Sequence, residues 1–462
     1  MCSCNIAITP TEWGTLLKIK LVVATLVAAL VTCAAQQSPE TGAAKTPAAK
    51  PVPVVTYIKA GKLFDATSDN YRENVVIVVE GERIKSIGQV QVPAGAKVID
   101  LSKATVLPGL IDSHTHLGAR ADQYNPINAF KNTPFTQAFA GEKNAKITLL
   151  AGFTTVRDVG SAPFMAVDLR RYIDEGYIPG PRVVASGPGI SITGGHGDLN
   201  NYSPETSVTL FPAERNYQIA DGPDQVRHVV RAQVKYGVDV IKILATGGVL
   251  SKGDSPGAPQ FTYEELKVAA EEAHMAGRKI AAHAHGAEGI KNAILAGIDS
   301  IEHASLASDE DIQLAKQHGT YFDMDIYNDD YILAEGEKNG VFAESLAKEK
   351  MIGRKQRETF KAAHAAGVKM TFGTDAGVYP HGDNARQFAK MVEWGMTPIE
   401  SIQAATRNAA EALDRSADVG AIAPGRYADL IAVDGDPLSD IHTLETVAVV
   451  MKGGQLVKGG GQ

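Results

Sequence analysis

Lys242 stands inside an apolar stretch, Val238-Asp-Val-Ile-Lys-Ile-Leu-Ala245, that closes on Thr246-Gly247-Gly248. Such a run reads as a short buried strand ending in a glycine turn. An ammonium group buried there is costly unless it is paired or chemically altered. The same chain carries His114-Thr-His116, His283-Ala-His285, His303 and Asp375, each at or just beyond the end of another apolar run. His114 and His116 lie two apart on an extended segment, so both imidazoles can face one ion from one strand end. Imidazole together with carboxylate suits zinc or a neighbouring first-row metal. A lysine ammonium cannot ligate a cation, but after reaction with carbon dioxide it becomes a carbamate whose two oxygens can bridge two metals. The alternative is an ordinary buried lysine paired with Asp239 or another carboxylate.

Eight apolar runs present these residues. They are Thr105–Ile111, Thr154–Val159, Arg182–Ser186, Val238–Leu244, Lys279–Ala282, Asp299–Ile301, Thr320–Met324 and Val368–Phe372. Helical-period stretches lie between most of them, among them 224–236, 264–276, 288–295, 309–318 and 343–366. Eight strand-then-helix units over residues 104–416 predict an α/β fold, a distorted (β/α)8 TIM barrel. In such a barrel the strand ends that carry the histidines, Lys242 and Asp375 converge on one mouth. Short strand-like runs also occupy 54–103, with Gly81-Glu82 as a hairpin turn, and 417–460. Neither piece makes a good sheet core alone, so both chain ends are expected to build one small β-sandwich domain. At 462 residues and 44% hydrophobic composition the chain can bury both cores. No G-x-G-x-x-G opens a helix after the first strand and no P-loop is present, so dinucleotide and nucleotide-phosphate readings lack support.

Net charge is -8 and no block of five basic residues occurs, which argues against nucleic acid as a partner. Lys18 and Lys20 precede the apolar stretch Leu21–Val31 and then Thr32-Cys-Ala-Ala35, the layout of a signal peptide over 1–35. Residues 36–53 have the composition of a flexible linker. The three cysteines, Cys2, Cys4 and Cys33, all lie at or before the end of that segment, which suits an exported enzyme that needs no disulfide. Leu30-Val-Thr-Cys33 also resembles a lipoprotein signal, so cleavage after Ala35 competes with a lipid anchor on Cys33. Periplasmic, secreted or membrane-anchored location is the expectation, with a start codon near Leu17.

The motifs Pro108-Gly-Leu-Ile-Asp-Ser-His-Thr-His116, Phe153-Thr-Thr-Val-Arg-Asp158, Lys242-Ile-Leu-Ala-Thr-Gly-Gly248, His283-Ala-His-Gly286, Ile301-Glu-His303 and Gly373-Thr-Asp375 occur in order along the chain. With Ala404–Ala409 and Gly425–Leu430 they resemble the amidohydrolase superfamily, in its two-metal prolidase-like and imidazolonepropionase-like branch, which includes exported carboxypeptidase-type and ochratoxin-hydrolysing members. The resemblance runs from Val55 to Val457. It implies two divalent ions, zinc by expectation. His114, His116 and Asp375 would hold the more buried ion, and His283 and His303 the second. Lys242, as N6-carboxylysine, would bridge both together with a hydroxide. It favours His283 over His285 as the ligand, with His285 turned away or behind. Asp375 would also be catalytic, taking the proton of the attacking water to the leaving amine.

His196, in a glycine-rich loop beyond strand three, and His285 are candidates for touching substrate. His381 and Asn384 either shape the pocket or hold its loop. Arg157 and Asp158 read as a pair that orients strand two, or as a plain salt bridge. Tyr236 reads as helix packing, and His274, His318 and His364 as surface or helix-end residues. The resemblance implies hydrolysis of an amide or peptide bond in a small carboxylate-bearing substrate, such as a dipeptide, an N-acyl amino acid or an ochratoxin-like amide. A homo-oligomer is expected. Lactonase or phosphotriesterase activity on the same two-metal site, or a non-catalytic binding module, are the alternatives.

Overall fold

The computed structural model describes residues 54–459 apart from 126, 162, 199, 201 and 211–216. The signal peptide, the 36–53 linker and the Cys33 anchor therefore lie outside the described residues. Four strands come first: β1 (Val55–Leu63), β2 (Arg72–Glu80), β3 (Arg83–Gly88) and β4 (Lys97–Pro108). Eight follow: β5 (Leu110–Thr115), β6 (Phe153–Asp158), β7 (Arg182–Ala185), β8 (Val240–Leu244), β9 (Lys279–Gly286), β10 (Ser300–Leu306), β11 (Tyr321–Asp323) and β12 (Met370–Thr371). The chain ends on β13 (Leu430–Val433), β14 (Val447–Lys452) and β15 (Gln455–Lys458).

Strands β5 to β12 are parallel and form the barrel, split into a three-stranded sheet, β5-β6-β7, and a five-stranded one, β12-β11-β10-β9-β8. Single bridges between Thr115 and Ala376 and between Ser186 and Val240 close the two seams. The closure is uneven because β12 is only two residues long and β11 three, which makes the barrel distorted. Helices alternate with these strands, and Asp309–His318 and Ala343–Ala366 fall where the periodicity places them. Ser308 caps the first of these, accepting from the Asp311 backbone while Asp311 reaches back. Each such cap contributes about 1 kcal/mol.

The first barrel strand is not where the sequence places it. The run Thr105–Ile111 is divided: its first half ends β4, which pairs with β1 and β13 in the small domain, and its second half starts β5. The break falls at Pro108-Gly109. Proline has no N–H for a ladder, and a Cβ at Gly109 would stand 2.0 Å from Thr154 Oγ1, so only glycine lets the chain cross onto β6. The small domain is one continuous seven-stranded sheet, β15-β14-β13-β4-β1-β2-β3, where a two-sheet sandwich is the sequence expectation. It curls over a single apolar core drawn from both ends, including Ile58, Ile77, Val106, Leu430 and Met451. The β14–β15 turn thereby meets the β2–β3 turn: a Cβ on Gly454 would lie 2.4 Å from the Gly81 carbonyl. Among the described residues no helix is long and apolar enough to cross a membrane.

Candidate active site

A cavity of about 270 Å³ opens at the C-terminal end of the barrel strands. His114, His116, His196, Lys242, His283, His285, His303 and Asp375 all line it. Three sets of ligand atoms gather within 4.8 Å of one another: His114, His116 and Asp375; His283, His285 and His303; and His303, Asp325 and Asp375. His303 and Asp375 reach these positions with left-handed backbone, φ 70° and 57°. Non-glycine residues adopt that conformation at a cost of about 1–3 kcal/mol, tolerated where surrounding structure and a site require it.

Most of these imidazoles are held through one ring nitrogen, leaving the other for the cavity. His116 Nδ1 lies 2.6 Å from the Gly160 carbonyl, His303 Nδ1 is 2.7 Å from Asp325 Oδ1, and His285 Nδ1 is 2.8 Å from Ser305 Oγ. His114 Nδ1 is 3.0 Å from Glu302 Oε2, so its Nε2 turns to Asp375 Oδ1 at 3.4 Å. His116 Nε2 meets the same oxygen at 3.1 Å. Partners of this kind fix tautomer and ring orientation in metal sites. Burial, helped by the Lys242 charge, pushes His114 down to about 4. Burial and neighbouring imidazoles push His283 and His285 well below the usual histidine range. Neutral imidazole is the ligating form. Burial works against the Asp375 carboxylate, but His114 and His116 outweigh it and hold the group ionised.

Lys242, in the middle of β8, is 3% exposed. Asp239 is not its partner, since that carboxylate bonds Arg170 and the Ala185 N–H. Among the described residues the Lys242 ammonium has no hydrogen bond or ion pair. Burial lowers its pKa against the pull of Glu302. The donor set fits two divalent ions.

His283 and His285 are not separated by the structure. Their ring centroids lie 4.6 and 4.8 Å from that of His303, and both belong to the same group of ligand atoms. His196 stacks on His283 at 4.3 Å, its Nδ1 2.7 Å from Ser251 Oγ. Its ring lies on Gly248, where a Cβ would stand 2.1 Å away. His381 and Asn384 are outside the cavity wall. His381 bonds Thr148 Oγ1 and the His116 carbonyl, and Asn384 donates to Asp112 Oδ2 at 2.7 Å. They hold the loop after β12 against β5.

Arg157 and Asp158 do not pair, because successive strand residues face opposite sides. Arg157 points into the barrel and binds Glu302 Oε1 at 2.9 Å, Asp323 Oδ2 at 3.2 Å and the Ser113 carbonyl. Asp158 accepts from the Leu117 N–H at 2.6 Å and from Ser161. Tyr236 packs on Phe164 and Tyr217, while His274 and His364 face Asp299 and Glu400.

Sequence reasoning missed Glu302, Asp323, Asp325 and Asn328. Burial disfavours the Glu302 carboxylate, yet Arg157 and Lys242 keep it ionised. Asp325 carries His303, and Asn328 donates to Asp325 Oδ2 at 2.6 Å and to Asp375 Oδ2 at 3.0 Å. The signal was available: Glu302 and Asp323 are carboxylates inside apolar strands, as anomalous as Lys242.

The amidohydrolase family model matches residues 105–457. Ochratoxinase of Aspergillus niger is 34% identical over 429 residues, covering 88% of this chain and 87% of that protein. Its crystal structure gives a TM-score of 0.79 at 33% identity, covering 89% of this chain and 97% of that one. A crystal structure of a Xaa-Pro dipeptidase with methionine bound in its active site gives 0.82 at 40% identity, covering 88% and 100%. A prolidase solved with N-methylphosphonate-L-proline gives 0.81 at 30%, covering 88% and 100%. With the family match and the ochratoxinase identity both extending over most of its length, the chain belongs to the amidohydrolase family.

Proposed function

We propose that this chain hydrolyses the amide or peptide bond of a small carboxylate-bearing substrate, a dipeptide or N-acyl amino acid, with ochratoxin-like amides in the same class. The observation that carries the reading is the buried, unpartnered Lys242 among His114, His116, His283, His303 and Asp375 on one cavity wall. We assign His114, His116 and Asp375 to one ion and His283 and His303 to the other, with carboxylated Lys242 between them and zinc as the metal. Divalent ions bound there would supply hydroxide at neutral pH and polarise the scissile carbonyl.

The chain's own residues then move the proton. Asp375, ionised and aimed by the Asn328 amide on its Oδ2, accepts a proton from the attacking water. As the new C–O bond forms and the C–N bond breaks, Asp375 passes that proton to the leaving amine nitrogen. Glu302 and Asp325 keep His114 and His303 oriented throughout. The basic and apolar N-terminal segment supports export as the setting of this activity.

Metal analysis of the protein, alongside rates on a panel of dipeptides, N-acyl amino acids and ochratoxin A, tests the reading. Two ions per chain and turnover on the panel are expected. Absence of both sinks it, and turnover confined to lactones or phosphotriesters would move the same site to those substrates.

A further inference from the structure

One wall of the cavity is a single helix face. Glu349, Ile352 and Gln356 of the helix Ala343–Ala366 line it at spacings of three and four. Gln356 marks the metal end, since its amide bonds Asp325 Oδ1 at 2.9 Å and Asp325 carries His303. Glu349 lies seven residues earlier, about 10 Å along the helix axis. That separation matches one residue of substrate backbone plus a long side chain.

Glu349 is 5% exposed and still faces the cavity. Its hydrogen-bonding neighbour is another acid, Asp329. Asp329 reaches it across Gly353, where a Cβ would stand 2.1 Å from Asp329 Oδ1. The cations nearby are already engaged. Arg357 binds Asp329 at 3.3 Å and Asp330 at 2.8 Å, and Lys390 binds Asp330 at 2.9 Å. Among the described residues no side-chain cation lies within 4.0 Å of the Glu349 carboxylate. Burial, with Asp329 and Asp325 close by, pushes this carboxyl up to about 8. Buried carboxyls without a counter-ion are rare unless something else supplies one. Among the described residues Lys242 is the one lysine or arginine on the cavity wall, and it belongs to the ligand cluster.

We propose that Glu349 is a specificity residue that receives a cationic group of the substrate, an ammonium or guanidinium carried about two helical turns from the scissile bond. This rests on the amide-hydrolase reading of the same cavity. An entering cation pairs with Glu349, the proton shared by Glu349 and Asp329 leaves to solvent, and Arg357 stays with Asp329. Apolar contacts with the substrate's methylenes fall to Ile352 and to Ile332 of the neighbouring helix Asn328–Glu335, which line the same cavity.

The test compares lysine and arginine dipeptides with their neutral isosteres, norleucine and citrulline dipeptides, on the wild type and on Glu349→Gln in the full metal-loaded protein. A charged hydrogen bond of this kind corresponds to a roughly ten- to hundredfold effect. The wild type is expected to prefer the cationic member by about that factor in kcat/KM. E349Q should lose the preference, mainly through KM, and keep its metal content and its rate on the norleucine dipeptide. Calorimetric binding of free lysine against norleucine gives the same comparison without turnover. Loss of hydrolysis on every dipeptide with lysine preference intact would sink the hydrolase reading alone. Equal handling of cationic and neutral members by the wild type, or an equal loss on both in E349Q, overturns the role of Glu349.

Discussion

Replacing Lys242 with methionine separates two roles that a plain loss of activity would confuse. In the metal-free protein the ammonium is buried at 3% exposure with no hydrogen bond among the described residues. Exchanging such a charge for an apolar side chain of similar length is neutral or stabilising by about 1–3 kcal/mol. For a folded region of this size, an unfolding entropy of roughly 2.1 cal/mol/K per residue turns each kcal/mol into about 1 °C of Tm. Metal-free K242M should therefore melt at or up to about 3 °C above the metal-free wild type. With metal the order reverses. Two ions present at a thousandfold over their Kd would each stabilise the wild type by about 4 kcal/mol, and K242M would forfeit the bridging anion proposed for Lys242. Turnover should drop at least about a thousandfold, equivalent to about 4 kcal/mol of transition-state stabilisation. Differential scanning calorimetry with and without zinc, paired with metal analysis, reads both signs. If K242M destabilises the metal-free protein as much as the loaded one, Lys242 is a structural lysine and the bridge is wrong.

Three further outcomes follow from other parts of the molecule. Asp325→Asn should weaken metal binding about ten- to a hundredfold, because one amide oxygen cannot serve His303, Gln356 and Asn328 together; chelator competition measures this, and a change under twofold counts against it. Arg157→Met leaves Glu302 and Asp323 buried without their cation and should cost about 3–5 kcal/mol in urea unfolding, an expectation that a loss below about 1 kcal/mol would contradict. Burial, then the nearby Arg182, pushes Lys452 down to about 8 from 10.5. Between those values the unfolded chain holds more protons than the folded one, so stability should rise with pH across that window. At pH 7 the charged amine opposes folding by about 3 kcal/mol. Lys452→Met should remove the slope and gain about 2 kcal/mol at pH 7 after losing the bond to the Gly180 carbonyl, as urea curves at pH 7 and 10 would show.

The barrel was legible because its strands are buried on both faces and read as apolar runs between helical periods. Seven of the eight runs each fall on a single barrel strand, the first being split between β4 and β5, and the polar residues at their ends arrive in one cavity. The first run failed for the same reason that the others succeeded. An apolar run says nothing about which of two sheets it joins, and the Pro108-Gly109 break decides that. Side-chain direction was the other limit. Arg157 and Asp158 are neighbours in sequence but face apart, while Arg157 and Glu302 meet only because β6 and β10 share a barrel interior. His381 and Asn384 sit close after Asp375 in sequence, yet the loop turns them toward Thr148 and Asp112, away from the cavity.

The small sheet joins residues from both ends of the chain: Thr105 in β4 donates to the Gly435 carbonyl, 330 positions away, and β13 pairs with the last four residues of β4, Thr105–Pro108. The strand that feeds directly into the first ligand strand therefore has an open edge until the last thirty or so residues exist. Such an edge is a template for wrong pairing with another chain, and closing it last makes a slow, long-range step of folding. A chain cut short before Leu430 should thus fail in solubility before it fails in chemistry. The terminal strands would thus act as a latch on the small sheet, closed only once β13 has been made.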